Sequence, residues 1–114
     1  MLNNKKIYKL DITKNIQNIS DLIVISGRNL GKQQRKSLKL DDIIKKNEKI
    51  EIIIPDNIYS ISSSFFLGLF GDIVRNLGSK ENFYEKFIFN GSASLKNNIN
   101  DGINDALNDV DGMD

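Results

Sequence analysis

Three consecutive serines, Ser62-Ser63-Ser64, stand directly before a strongly apolar segment that begins at Phe65. A serine hydroxyl at a helix start accepts a hydrogen bond from a free backbone N–H of the first turn, so the triplet is consistent with helix capping. A phosphate on such a serine would meet the same free N–H groups and the positive end of the helix dipole. The triplet therefore predicts either a cap alone or, in addition, a docking or phospho-acceptor site.

A glycine-containing stretch, residues 27–32, follows a short β-branched run and leads into a predicted helix, which is where a phosphate-binding loop would lie. A Walker A loop has four residues between its glycines, whereas three residues separate Gly27 from Gly31 here, and Gln33 stands where Ser or Thr should follow the lysine. We expect Gly27, Arg28 and Gly31 to form a glycine-relieved turn, as secondary candidates beside the serine triplet.

The chain of 114 residues contains no cysteine and no histidine. This composition excludes disulfides, Cys/His zinc sites and every Ser-His or Cys-His nucleophile pair within the chain. General acid–base catalysis near neutral pH also loses its usual side chain. We therefore expect no enzymatic activity and no cofactor.

The acidic C-terminal segment has the Asp, Asn and Gly residues of a calcium-binding loop, but not their spacing. Taking Gly102 or Gly112 as the sixth position of an EF-hand loop puts Ile99 or Leu107 at an oxygen-ligand position, and no glutamate follows at the twelfth. We expect no metal site.

Charge is divided unevenly along the chain. Residues 1–50 carry twelve Lys/Arg against five Asp/Glu, whereas residues 51–114 carry four against ten, and the net charge is +1. Two interpretations remain open: two solvated faces of one folded unit, or a basic patch that faces an anionic partner. The basic half is poor in the aromatic residues that single-strand binders use for stacking, so direct nucleic-acid binding is not expected.

Hydrophobic periodicity predicts an α/β fold with the order β-β-α-β-α-β-α. The helix over 65–77 has apolar residues at spacings of three and four, with Phe70 and Ile73 in its core face and Gly78 as its C-cap. Its apolar arc is too wide for one sheet face, so a second element must shield it. Strands are predicted over 5–12, 22–26, 49–54 and 86–90, with a short extended piece over 58–61. A helix is predicted over 30–46 that breaks near Leu40-Asp41 with Asp41 as a cap, and a last helix over 94–108. A polar connection is predicted through Glu81 and Asn82.

These elements predict a single domain over 1–108, with a mixed sheet of about four strands and helices packed on it, and an acidic, frayed tail over 109–114. No apolar run approaches the length of a membrane span, and the N-terminus lacks the apolar core of a signal peptide. We expect a cytoplasmic protein that has no membrane partner.

The segment Ile58–Gly71, followed by Gly78 and by Phe87-Ile88-Phe89-Asn90, resembles the STAS-like family of small bacterial domains of unknown function. The resemblance lies in a hydrophobic strand that leads into a Ser-Ser-Phe helix start, a later Phe-Gly and a strand that closes in Asn. Ser26-Gly27-Arg28 also resembles the front end of that family. The resemblance covers residues 22–108 and implies a STAS-like fold.

The same helix start is more distantly similar to that of anti-sigma factor antagonists, which reads Asp-Ser-Ser-Gly and is phosphorylated on its first serine by an ATPase-like kinase. The match puts Ser63 on the phospho-acceptor and Ser64 on the second serine. Ser62 stands in place of the aspartate and Phe65 in place of the glycine, so two of the four positions depart.

By resemblance, we expect a non-enzymatic, protein-binding regulatory module that docks a partner, a histidine-kinase-like ATPase, through Ser62, Ser63, Ser64 and Phe65. The alternative is a small inhibitor or immunity protein, encoded by a phage or mobile element, that blocks a nuclease or another nucleic-acid machine. A compact, cysteine-free chain with uneven charge fits that role as well. Neither interpretation specifies an oligomeric state.

Overall fold

The computed structural model describes residues 7–21 and 23–108 of the chain. Its strands form two separate sheets, and all the strand pairs are parallel. The larger sheet has the order β1-β3-β5, and the smaller sheet pairs β2 with β4. The strands are β1 (Ile7–Asp11), β2 (Val24–Ile25), β3 (Lys49–Ile53), β4 (Ser60–Ile61) and β5 (Phe87–Phe89).

The prediction of an α/β fold is confirmed, but the prediction of one mixed sheet with about four strands is wrong in detail. The larger sheet contains three of the five described strands, and the other two, β2 and β4, form a sheet of their own. After β3 the chain meets Pro55, which has no N–H to donate to a ladder, and a turn at residues 56–57 then redirects it. The next strand therefore pairs with β2 instead of extending the larger sheet.

β3 is the central strand of the larger sheet, as its sequence predicted. It pairs with β1 from Ile7–Lys49 onward and with β5 from Ile50–Phe87 onward. Ile50 and Ile52 are buried, and the residues that alternate with them are half-buried, which is the pattern of a strand with one face on the core.

Within the described residues, five α-helices accompany the strands. The strands β2 and β4 each lead into two helices before the next strand, as crossover connections between parallel strands require, and one more helix follows β5. The helices are α1 (Arg28–Ser37), α2 (Leu40–Lys46), α3 (Ser63–Leu77), α4 (Lys80–Lys86) and α5 (Ala93–Asn108).

The predicted break in the first helical segment is confirmed, at Lys39, which adopts a left-handed conformation with φ of 56°. The turn lets the buried side chains of Leu38 and Leu40 on either side of it both contribute to the core. The proposed capping by Asp41 is wrong. Lys39 is the N-cap residue of α2 and makes no side-chain cap bond, while the Asp41 carboxylate accepts hydrogen bonds from Arg35.

The polar connection predicted through Glu81 and Asn82 is a helix, α4. Ser79 caps it, since its hydroxyl accepts a hydrogen bond from the Asn82 N–H at 3.1 Å. Phe83 stabilises the helix against the core, because its side chain is completely buried. A single apolar residue in a polar stretch shows no periodicity, so the burial of Phe83 was not visible in the sequence.

α3 lies at the centre of the molecule and packs against both α1 and α5. This arrangement supplies the second shield that its wide apolar arc required. Phe70 and Ile73 are buried, as predicted, and Gly78 ends the helix with φ of 92°. Four phenylalanine rings form the aromatic part of the core, with neighbouring ring centroids 4.7 to 6.0 Å apart: Phe66, Phe70, Phe83 and Phe87.

None of the described helices is long and apolar enough to cross a membrane. The predicted acidic tail, residues 109–114, lies outside the described residues.

Candidate docking surface

The two motifs selected from the sequence, the Gly27 turn and the serine triplet, meet in the structure. β2 and β4 pair in parallel, so their carboxyl ends lie at the same edge, and α1 and α3 begin directly after them. The Gly27 N–H donates a hydrogen bond to the Ser64 hydroxyl at 3.3 Å. The Ser62 N–H donates to the Ile25 carbonyl at 2.9 Å. Two helix starts therefore lie side by side.

Each serine of the triplet has a different environment. Ser62 is the N-cap residue of α3, because its hydroxyl accepts a hydrogen bond from the Phe65 N–H at 3.1 Å. The hydroxyls of Ser62 and Ser64 lie 3.0 Å apart, and Ser64 also accepts from Gly27. Ser63 is exposed to solvent. Ser62 and Ser64 thus join the two helix starts, and Ser63 is the serine that a partner or a kinase can reach.

Phe65, which was grouped with the serines as a docking candidate, lies in the core. Its side chain has 0% of its surface exposed. A partner can contact this position only after α3 moves, so the surface of the helix start consists of the serines alone. The apolar periodicity of α3 includes position 65 and was the signal that could have excluded it.

Gly31, a secondary turn candidate, lies inside α1 and packs against α3. A Cβ atom at Gly31 would overlap the Phe65 carbonyl oxygen, and one at Gly68 would overlap the Arg28 carbonyl oxygen. Only Gly27 of this stretch has a positive φ, 105°, and forms the expected turn. Arg28 is the first residue of α1. Gly31 and Gly68 therefore hold the two helices in close backbone contact.

The two helices run parallel and in register. The hydrogen-bonded pairs Gly27–Ser64 and Arg35–Asp72 are both 37 residues apart in sequence, one at the helix starts and one about two turns later. This register fixes the relative position of the two helix starts.

Exposed apolar side chains lie on the small sheet, one in β2 and two at the positions just before β2 and β4. Tyr59 is 66% exposed, Ile23 62% and Val24 48%. The Tyr59 N–H donates to the Ile23 carbonyl at 2.7 Å, so these two residues are neighbours across the small sheet. Sequence reasoning missed this group, because a two-residue strand is too short for its alternation to show which face is exposed.

An open cleft of about 510 Å³ adjoins the same apolar group. It lies beyond the carboxyl ends of β3 and β5, which is where ligands of parallel α/β sheets commonly bind. Tyr59 and Ile23 form part of its wall, together with Pro55, Phe89 and Leu95. The cleft can accept an apolar side chain from a partner.

We name the docking surface by its exposed residues, Ile23, Val24, Tyr59 and Ser63. Among the described residues, no three Asp or Glu side chains come close enough together to hold a metal ion.

Comparisons of the chain with protein-family models, with curated proteins and with solved structures find no match.

Proposed function

We propose that this chain is a non-enzymatic regulatory module that binds another protein through the docking surface. The supporting observation is that the most exposed large apolar side chains of the described residues, Tyr59 and Ile23, are neighbours just before β4 and β2 and adjoin an open cleft, a few residues before the two helix starts. Contiguous exposed apolar groups with a polar rim are typical of protein-binding sites.

Tyr59 is the residue best suited to anchor the partner. Tyrosine is enriched among the residues that dominate binding energy, since it buries a large rigid surface and keeps a polar tip. The adjoining cleft gives a partner side chain a place to bury next to the Tyr59 ring. Polar residues of the cleft wall, among them Asn57, Ser92 and Ser94, supply the polar rim.

Ser63 gives the module a means of regulation. A phosphate on Ser63 would stand at the N-terminus of a 15-residue helix, where free N–H groups and the dipole favour negative charge. The phosphate would change the charge of the docking surface without breaking the Ser62 cap. Phosphorylation at this position therefore acts on partner affinity and leaves the fold intact.

The STAS-like resemblance favours a histidine-kinase-like ATPase as the partner. An inhibitor or immunity protein that blocks a nuclease would use an exposed surface of the same kind, so the identity of the partner separates these two functions.

The proposal is tested by site-specific photo-crosslinking in the native host. A photoreactive phenylalanine analogue replaces Tyr59 in one variant and Tyr8 in a control variant. Tyr8 is 40% exposed and lies on β1, an edge strand of the other sheet. We expect one protein to crosslink at position 59 and not at position 8, and mass spectrometry then identifies it. Equal crosslinking at both positions, or none at 59, would contradict the proposal.

A further inference from the structure

A second feature, a groove between α1 and α3, lies on the outer side of the helix pair and has a volume of about 480 Å³. Its cations come from both helices, and its walls also include two carboxylates and a short apolar stretch. We call it the α1–α3 groove and define it by six of the residues that line it: Arg28, Lys32, Arg35, Lys36, Leu67 and Gly68.

Both carboxylates of the groove are engaged by arginines. Arg35 bonds Asp41 at 3.0 Å and Asp72 at 3.1 Å, and Arg75 lies 3.8 Å from Asp72. Burial lowers the pKa of the Arg35 guanidinium, but the hydrogen bonds to the two aspartates outweigh this effect, and its pKa is raised. The carboxylates therefore balance Arg35 and Arg75, and the positive charge of the lysines dominates the rest of the groove.

The remaining cations follow one face of α1. Arg28, Lys32 and Lys36 are spaced four residues apart, so each is a neighbour of the next on the helix surface. α1 contains no acidic residue to relieve this repulsion, and Arg28 and Lys32 stand near the positive end of the helix dipole. Intrinsic helix stability would favour the opposite charges here.

Packing, and not charge, keeps α1 in place. The buried Gln34 amide donates hydrogen bonds to the carbonyls of Ile12 and Lys14, both at 2.9 Å. Gly31, three residues earlier on the buried face of α1, packs the helix against α3. The cationic face is thus held rigidly, which reduces the entropy lost when an anionic segment binds.

Gly68 lines the groove where its lack of a side chain lets the backbone of α1 approach, and Leu67 lies half-buried beside it. A bound segment can therefore place a carboxylate near the lysines and an apolar side chain against Leu67. The same features argue against nucleic acid. No aromatic side chain lines the groove for base stacking, and the net charge of the whole chain is only +1.

We infer that the α1–α3 groove binds an acidic peptide segment of the partner protein, with its carboxylates toward Lys32 and Lys36 and an apolar side chain against Leu67. This inference rests on the proposed function and adds the chemistry of the partner.

The test uses a short synthetic peptide rich in glutamate and aspartate, with leucines interspersed, titrated into the isotope-labelled full chain and followed by backbone amide NMR shifts. The double variant Lys32→Glu/Lys36→Glu is compared with Lys46→Glu/Lys96→Glu. All four lysines are exposed, and both double variants change the net charge equally. Thermal melts confirm that each variant is folded.

We expect shifts at the amides of α1 and α3, including Gly68, and binding weakened about ten-fold or more by Lys32→Glu/Lys36→Glu. The Lys46→Glu/Lys96→Glu variant should bind within about two-fold of the unmodified chain, and rising salt should weaken binding.

Three results would overturn the inference. They are no NMR shifts at the amides of the groove, an equal loss of peptide affinity in both double variants, or tighter binding of a single-stranded oligonucleotide than of the peptide. Each of these leaves the crosslinking test at Tyr59 unaffected, because the peptide titration needs no partner. The two experiments therefore distinguish a failure of the groove inference from a failure of the proposed docking function.

Discussion

At the residue scale, the serines of the triplet have different roles, two of them structural and one at the surface. Ser62 accepts the capping hydrogen bond and Ser64 links the triplet to Gly27, while Ser63 faces solvent. The sequence predicted a capped helix at this point, because the residue types of a cap are local. It did not show which serine was the cap, since that depends on the backbone conformation of one residue.

Because only Ser62 caps the helix, substitutions at Ser62 and Ser63 should change the free energy of unfolding by different amounts. Ser62→Ala should lower the free energy of unfolding by about 0.5 to 2 kcal/mol through loss of the cap. Ser63→Ala should change it by less than about 0.5 kcal/mol, the range of ordinary surface substitutions, and Ser63→Asp should be neutral or slightly stabilising at the helix start. Denaturant melts of the three variants measure this. A cost for Ser63→Ala equal to that of Ser62→Ala would show that the cap is assigned to the wrong serine.

At the element scale, the close contact of α1 and α3 aligns the two helix starts. Gly31 and Gly68 permit this contact, because a side chain at either position would overlap the backbone of the other helix. The sequence suggested a turn for Gly31 since the spacing of glycines resembles a loop motif. Helix-to-helix contact is non-local and leaves no such spacing signal.

Gly68→Ala should therefore destabilise the protein by about 1 to 3 kcal/mol, the usual cost of overpacking. Gly71→Ala is the matched control, because it lies on the same helix and its added methyl would meet the flexible end of the Arg75 side chain at 3.3 Å. That control should be neutral or stabilising by up to about 1 kcal/mol, as alanine favours helix over glycine. Denaturant unfolding of both variants decides the point, and an equal effect of the two substitutions would contradict the close crossing.

Other elements show where prediction from sequence succeeds. β3 and the ends of α3 were predicted correctly because alternation, serine caps and a terminal glycine act within a few residues. The helix α4 and the split between two sheets were missed because they depend on Phe83 reaching a distant core and on which strand β4 pairs with. Tyr59 was missed because exposure is set by the whole fold.

At the scale of the whole molecule, the aromatic core joins the central helix to the larger sheet. The Phe70 ring contacts those of Phe66, Phe83 and Phe87, which come from α3, α4 and β5. Phe70→Ala should reduce the free energy of unfolding by about 3 to 5 kcal/mol through lost burial and a residual cavity. A denaturant melt measures this, and a change below about 1 kcal/mol at unchanged m would show that the face of α3 is misassigned.

At this scale, the structure also shows where part of the uneven charge of the chain lies. Arg28, Lys32 and Lys36 of the basic half line one groove, whereas the exposed apolar group lies at the ends of β2 and β4. The interpretation of a basic patch that faces an anionic partner remains a proposal, and it is tested by the peptide titration. The two features together describe a partner that presents an apolar anchor and an acidic segment.

The central claim is that the docking surface binds the partner through Tyr59. The most direct measurement is calorimetry on the partner that the crosslinking identifies, purified in its unmodified form. It is titrated in turn with the unmodified chain, with Tyr59→Ala and with the control Tyr8→Ala. We predict that Tyr59→Ala weakens binding by about 2 kcal/mol or more, roughly thirty-fold, as expected of an interface hot spot, while Tyr8→Ala binds like the unmodified chain. Equal affinity of Tyr59→Ala and the unmodified chain would contradict the claim.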